Sequence, residues 1–101
     1  MEQVTSEQIQ EKLKNNESFL LKMMATWCGP CKQLTYEISN VDTNVPIYEF
    51  DVESDISFSK NFGVRSVPVM KFFKDGKDVH TTVGLKSSND ITTLINEHIQ
   101  N

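Results

Sequence analysis

The residues of this chain best able to do chemistry are Cys28 and Cys31, separated by Gly29-Pro30 and preceded by the single tryptophan, Trp27. A Cys-x-x-Cys pair can bind a metal, staple the fold or exchange thiol for disulfide. A staple acts by closing a loop in the unfolded chain, and its effect grows with loop length. This one encloses only Gly29 and Pro30. A tetrahedral metal site needs about four ligands, usually from two such units or from Cys and His at set spacings. His80 and His98 are the remaining candidates, and each stands alone. Redox exchange has positive physical support. An ordinary thiol with a pKa near 8.5 is only about 3% thiolate at pH 7, and the thiolate is the nucleophile. At a helix N-terminus, Cys28 would meet unpaired N–H groups and the positive end of the helix dipole, both of which favour the anion. A shift to about 7 corresponds to roughly 2 kcal/mol and makes about half of the thiol reactive. Cys31, one turn further in, would point back toward Cys28 from a more buried place and act as the resolving thiol.

The flanking elements supply that placement. Phe19, Leu20, Leu21, Met23 and Met24 give way to Leu34 and Ile38 at helical spacing. This predicts a strand over 18–25, buried on both faces with Lys22 as its one offence, and a helix from 28 or 29 to 39. Upstream, Thr5 and Gln8 have capping-box spacing ahead of Ile9 and Leu13, so a helix is expected over 6–15, after a strand that is short or absent. Downstream come a polar loop over 40–46, an alternating strand over 47–52, and a short helix over 56–62 ended by Gly63. A strand over 69–73 then turns through Asp75-Gly76 into another over 79–83, which Gly84 ends. A last helix, with Ser88 as N-cap, carries Ile91, Leu94, Ile95, His98 and Ile99 on one face. This order predicts an α/β fold: a central mixed sheet of four or five strands, parallel first and then an antiparallel hairpin, flanked by helices. Reactive sites in such sheets lie beyond the carboxyl ends of the parallel strands, where Cys28 falls.

With 101 residues, 38% of them hydrophobic, the chain can build one core, and a single domain over 1–101 is expected. No apolar run approaches the roughly 18 residues of a membrane span, and residues 1–6 lack the basic and apolar regions of a signal peptide. A cytoplasmic protein with no membrane partner is expected. There a dithiol is kept reduced and is more plausibly catalytic than structural. A net charge of −4 argues against non-specific nucleic-acid binding.

Trp27-Cys28-Gly29-Pro30-Cys31-Lys32 resembles the active-site signature of thioredoxins. It is followed in the family's order by Gly63-Val64-Arg65-Ser66-Val67-Pro68, and by Phe73-Lys74-Asp75-Gly76-Lys77 with Val83-Gly84. The likeness runs from Thr5 onward and implies a thioredoxin fold with helices on both faces of the sheet. It implies that Cys28 is the attacking nucleophile, Cys31 the resolving thiol, and Trp27 the ring beside them. Pro68 resembles the family's cis-proline against the disulfide, and Val67 the residue whose backbone binds an extended substrate strand. Gly29, Pro30, Gly84 and Leu85 would complete a shallow apolar rim. The implied activity is protein-disulfide reduction without a bound cofactor or metal. Its partners would be disulfide-containing proteins and an NADPH-dependent thioredoxin reductase, and the protein would be a monomer. Two other readings stay open. A glutathione-linked, glutaredoxin-like enzyme would carry another dipeptide between its cysteines and a Gly-rich segment after the proline. A non-redox subunit of a larger complex could use the same rim.

The departures from the family are informative. Six residues before the first cysteine, thioredoxins usually bury an Asp; here Lys22 stands there, expected beneath the dithiol, with Glu49 as candidate partner and a tuning role. The usual lysine partner of that acid aligns with Ile47. Tyr36 replaces the proline that kinks the second helix, which should run straighter. His98 reads as core edge, His80 as a half-exposed strand residue without a role, and Lys71 and Lys74 as a solvated face.

Overall fold

The computed structural model describes residues 1–100 and places β2 (Phe19–Met24) at the centre of a five-stranded sheet. The strand order is β1-β3-β2-β4-β5, with β1 (Glu2–Gln3), β3 (Ile47–Asp51), β4 (Val69–Lys74) and β5 (Lys77–Val83). β1 and β2 each run parallel to β3, whereas β4 runs antiparallel to both its neighbours, β2 and β5. The short first strand is therefore real, and Val4 continues it by donating its N–H to the Glu49 carbonyl at 2.9 Å. The helices are α1 (Ser6–Lys14), α2 (Gly29–Ser39), α3 (Ile56–Asn61) and α4 (Ser88–His98).

Side chains of β2 alternate between the two faces of the sheet. Phe19, Leu21 and Met23 join Ile9 of α1, Phe50 and Phe73, with Phe58 and Phe62 packed alongside. Leu20 joins Leu34 and Ile38 of α2, Met70, Phe72, and Ile91 and Ile95 of α4. The single core expected from chain length is thus divided by the sheet into two halves. A strand buried on both faces is apolar on both, which is why β2 reads as a hydrophobic run broken only at Lys22.

Local signals set the ends of the elements. Thr5 and Gln8 form the reciprocal capping box, the Thr5 hydroxyl accepting the Gln8 N–H while the Gln8 side chain accepts the Thr5 N–H. The cap of α4 is Ser87, not Ser88: Ser87 is extended and its hydroxyl accepts the Asp90 N–H at 3.1 Å. Ser88 is the first helical residue, and its N–H donates to the Glu37 carboxylate on α2 at 2.8 Å. At the hairpin Asp75 and Gly76 both have positive φ, and Gly76 donates its N–H to the Glu17 carbonyl at 2.9 Å. The β4–β5 turn is thereby docked on the chain just after α1. α2 is continuous across Tyr36, which is exposed.

Lys71 is not on a solvated face. It is buried, donates to the Asp78 carboxylate at 2.8 Å and the Thr81 hydroxyl at 3.1 Å, and lies 5.7 Å from the Phe62 ring centre. Three partners on neighbouring elements compensate the buried ammonium. His80 and His98 are likewise not separate: their rings stack at 4.1 Å with planes 7° apart, both against Phe72, and so fasten the end of α4 to the outer strand β5.

Candidate active site

Beyond the carboxyl end of β2 the chain passes through Ala25, Thr26 and Trp27 into α2, and Cys28 is the N-cap of that helix. Its backbone is extended and its sulfur accepts the Cys31 N–H at 3.1 Å, the contact a serine or aspartate oxygen makes at an ordinary cap. Pro30 fits the first turn because its missing N–H would have had no partner there. One turn separates the two cysteines, so Cys31 folds back over Cys28 and the pair is disulfide-bonded, with Cα atoms 5.3 Å apart. The dipole end and the Cys31 N–H both act on the Cys28 sulfur, and both stabilise it as an anion once the bond is reduced.

The expected difference in burial between the cysteines is absent in this oxidised state. Cys28 is 3% exposed and Cys31 1%. With Ala25 they form a small buried cluster against which Met24, Val52 and Val67 pack. Val67 thus lies against the site, through a Val67–Pro68 peptide that is cis. Pro68 is buried, and its carbonyl accepts the Gly84 N–H at 2.9 Å, which brings Gly84 to the same end of the sheet. Trp27 is 70% exposed and Leu85 48%. Gly29 and Pro30 are exposed on the first turn of α2.

Trp27 and Val67 also line a groove of about 250 Å³ whose other walls include Val52, Ile56, Val64 and Arg65. Gly29, Pro30, Gly84 and Leu85 do not line it. The concavity beside the dithiol therefore opens on the α3 side, and of the expected substrate-binding residues only Trp27 and Val67 line it. Ile56, an apolar residue left 52% exposed at the start of a short helix, was the available signal.

Lys22 is 1% exposed, on the face of β2 opposite to Leu21 and Met23 and therefore beneath α2. Its ammonium donates to the Glu49 carboxylate at 2.9 Å and to the Thr35 hydroxyl of α2. Glu49 is the residue paired with Lys22 across β2 and β3, two beyond Ile47. Across the strands it is thus Glu49, the expected partner, that faces Lys22 and bonds to it, while Ile47 lies opposite Leu20. Burial pushes the Glu49 carboxyl up, but hydrogen bonds from Lys22 and Gln3 and the Lys22 charge outweigh it and hold Glu49 below the ordinary glutamate range. Thr35 continues the chain, its hydroxyl donating to the Cys31 carbonyl at 3.1 Å. Its spacing of four residues from Cys31 was the signal that could have found it.

None of the described helices is long and apolar enough to cross a membrane. The sequence model of the thioredoxin family matches residues 1–97. Thioredoxin of Chlamydia muridarum is 38% identical over 82 residues, covering 78% of this chain and 80% of its own. Thioredoxin of Rickettsia bellii is 32% identical over 94 residues, covering 89% and 90%. Among solved structures, a mutant thioredoxin from Halobacterium salinarum superposes with a TM-score of 0.81 at 28% identity, over 96% of this chain and 87% of that one. A matching family model over nearly the whole length, relatives above 30% identity and a Cys-x-x-Cys disulfide capping the helix after the central strand together place the chain in the thioredoxin family, as a thiol–disulfide oxidoreductase.

Proposed function

We propose that the protein reduces disulfides in other proteins, with Cys28 as nucleophile and Cys31 as resolving thiol. The Cys28 thiolate attacks a substrate disulfide, one substrate sulfur leaves as a thiolate that takes a proton, and a mixed disulfide remains. Cys31, having lost its own proton, then attacks Cys28. The second substrate sulfur leaves reduced, and Cys28–Cys31 is left oxidised. The observation that carries this reading is the Cys31 N–H on the Cys28 sulfur at the start of α2, a contact that favours the thiolate at one cysteine of the pair.

In the same reading Trp27, Gly29, Pro30, Val67, Pro68 and Gly84 receive the substrate chain around the dithiol. Lys22 tunes the pair. Two electrons per cycle return from NADPH through a thioredoxin reductase, and the protein acts as a cytoplasmic monomer, where the pair is kept reduced. Insulin disulfide reduction distinguishes the electron sources: turnover is expected with NADPH and thioredoxin reductase and not with glutathione. Turnover with glutathione alone would make the protein glutaredoxin-like. A Cys28→Ser/Cys31→Ser variant that retained full biological activity would instead make it a binding subunit.

A further inference from the structure

Three helical threonines send their hydroxyl hydrogen to the carbonyl four residues back: Thr35 to Cys31 at 3.1 Å, Thr92 to Ser88 at 2.9 Å and Thr93 to Asn89 at 3.1 Å. Such a bond is common in helices and by itself does little. Thr35 differs because its oxygen also accepts from the Lys22 ammonium. A hydroxyl has one hydrogen, so with that hydrogen on the Cys31 carbonyl the oxygen can only accept from Lys22. The direction of the chain is fixed, from the ammonium through Thr35 to the backbone of Cys31. Accepting from a cation strengthens the bond the hydroxyl donates. Glu49, on the far side of Lys22, holds the other end of the ammonium. The ion pair therefore presents its positive end to α2 and its negative end to β3.

We propose that Thr35 is a positioning residue for the resolving step, transmitting the Lys22–Glu49 pair to Cys31; this rests on the reading of Cys31 as the resolving thiol. In the oxidised protein Cys31 is held by its bond to Cys28. In the mixed disulfide that tether is gone, and the Thr35 bond joins the helix, the Cys31 N–H on the Cys28 sulfur and the surrounding packing in keeping Cys31 in place. The ammonium, one hydroxyl away from the Cys31 carbonyl, polarises the peptide that carries the thiol and so favours its ionisation when it must attack. Thr35 lies at the surface, so its hydroxyl can be removed without opening the core.

Ellman's disulfide reads the two steps separately in the reduced protein. One thionitrobenzoate leaves when Cys28 attacks, and a second when Cys31 displaces the first adduct. Thr35→Val is expected to slow the second phase about threefold, the worth of one modest hydrogen bond, and to move its pH midpoint upward, leaving the first phase unchanged. Thr35→Ser, which keeps the hydroxyl, should restore both rate and midpoint. In a Lys22→Met/Glu49→Gln background Thr35→Val should add nothing. Equal second phases in wild type and Thr35→Val overturn the proposal, as does an undiminished effect of Thr35→Val in the neutralised background. A wild-type protein with no second phase would instead overturn the assignment of Cys31, a result distinct from either.

Discussion

At the scale of single residues, function turns on two sulfurs that the oxidised structure buries almost equally. What separates them is the cap: Cys28 receives an N–H and Cys31 gives it. In the reduced protein brief iodoacetamide treatment should therefore label Cys28 and spare Cys31, as mass mapping would show. Equal labelling would dissolve the division of roles. Lys22 and Glu49 make a second prediction. In the proposed tuning role the Lys22 charge stabilises the thiolates of the reduced form, and each 1.4 kcal/mol of such stabilisation raises a two-electron potential by about 30 mV. Exchanging the charges, Lys22→Asp/Glu49→Lys, should lower the potential toward a stronger reductant by a shift of that order. Equilibration against a glutathione buffer measures it, and a potential that stays put would remove Lys22 from any tuning role. The single Lys22→Asp is the poorer test, since it sets two carboxylates side by side.

At the scale of elements, the contacts between them offer sharper tests than the elements themselves. Gly76 has φ of +78°, and a Cβ there would stand 2.5 Å from the Leu13 carbonyl oxygen and 3.0 Å from the Asn16 Cα. Both are backbone atoms and cannot swing away. Gly76→Ala should cost about 3 kcal/mol, read as a lower urea midpoint with the redox chemistry intact. The joint between α4 and β5 predicts a pH effect. Burial, and next the charge of His98, hold His80 below the ordinary histidine pKa, with Glu97 and Asp78 opposing less strongly. The unfolded chain then takes the proton first as pH falls. Stability is complete above the ordinary histidine range and is lost on acidification down to the folded-state pKa. The fall in Tm between about pH 7.5 and about pH 5.5 should shrink in His80→Gln. An unchanged gap would place the acid sensitivity elsewhere. The Thr5–Gln8 box, the Asp75-Gly76 turn and the extent of β2 were legible in the sequence because each is encoded by residues close in the chain. Lys71 was not, because its compensation by Asp78, Thr81 and Phe62 crosses elements. The choice between Ser87 and Ser88 required knowing backbone conformation to one residue, whereas Glu49 as the partner of Lys22 was legible, since alternation along the adjacent strand brings it to that face. Thr35 offered only its four-residue spacing from Cys31, a signal that an exposed helical threonine shares with many others until the lysine beneath it is seen.

At the scale of the whole molecule, the sheet holds the dithiol at the end of its central strand, and both strands beside β2 lie downstream of it in sequence. A ribosome delivers the chain N-terminus first, at about 5–20 residues per second. Cys28 and Cys31 thus emerge before β3 and well before β4, and for a time on the order of seconds they belong to a segment without a sheet to place it. During that interval they are two ordinary thiols, open to oxidation or to pairing with the wrong partner. Stalled nascent chains would show it: those ending soon after Asp51 should alkylate at both cysteines alike, and selectivity for Cys28 should appear only once Lys74 has cleared the exit tunnel. Selectivity in the shorter chains would mean that the turn into α2 is sufficient alone. The strand order thus makes this enzyme's chemistry a property that its chain acquires late in synthesis, long after the cysteines themselves have been made.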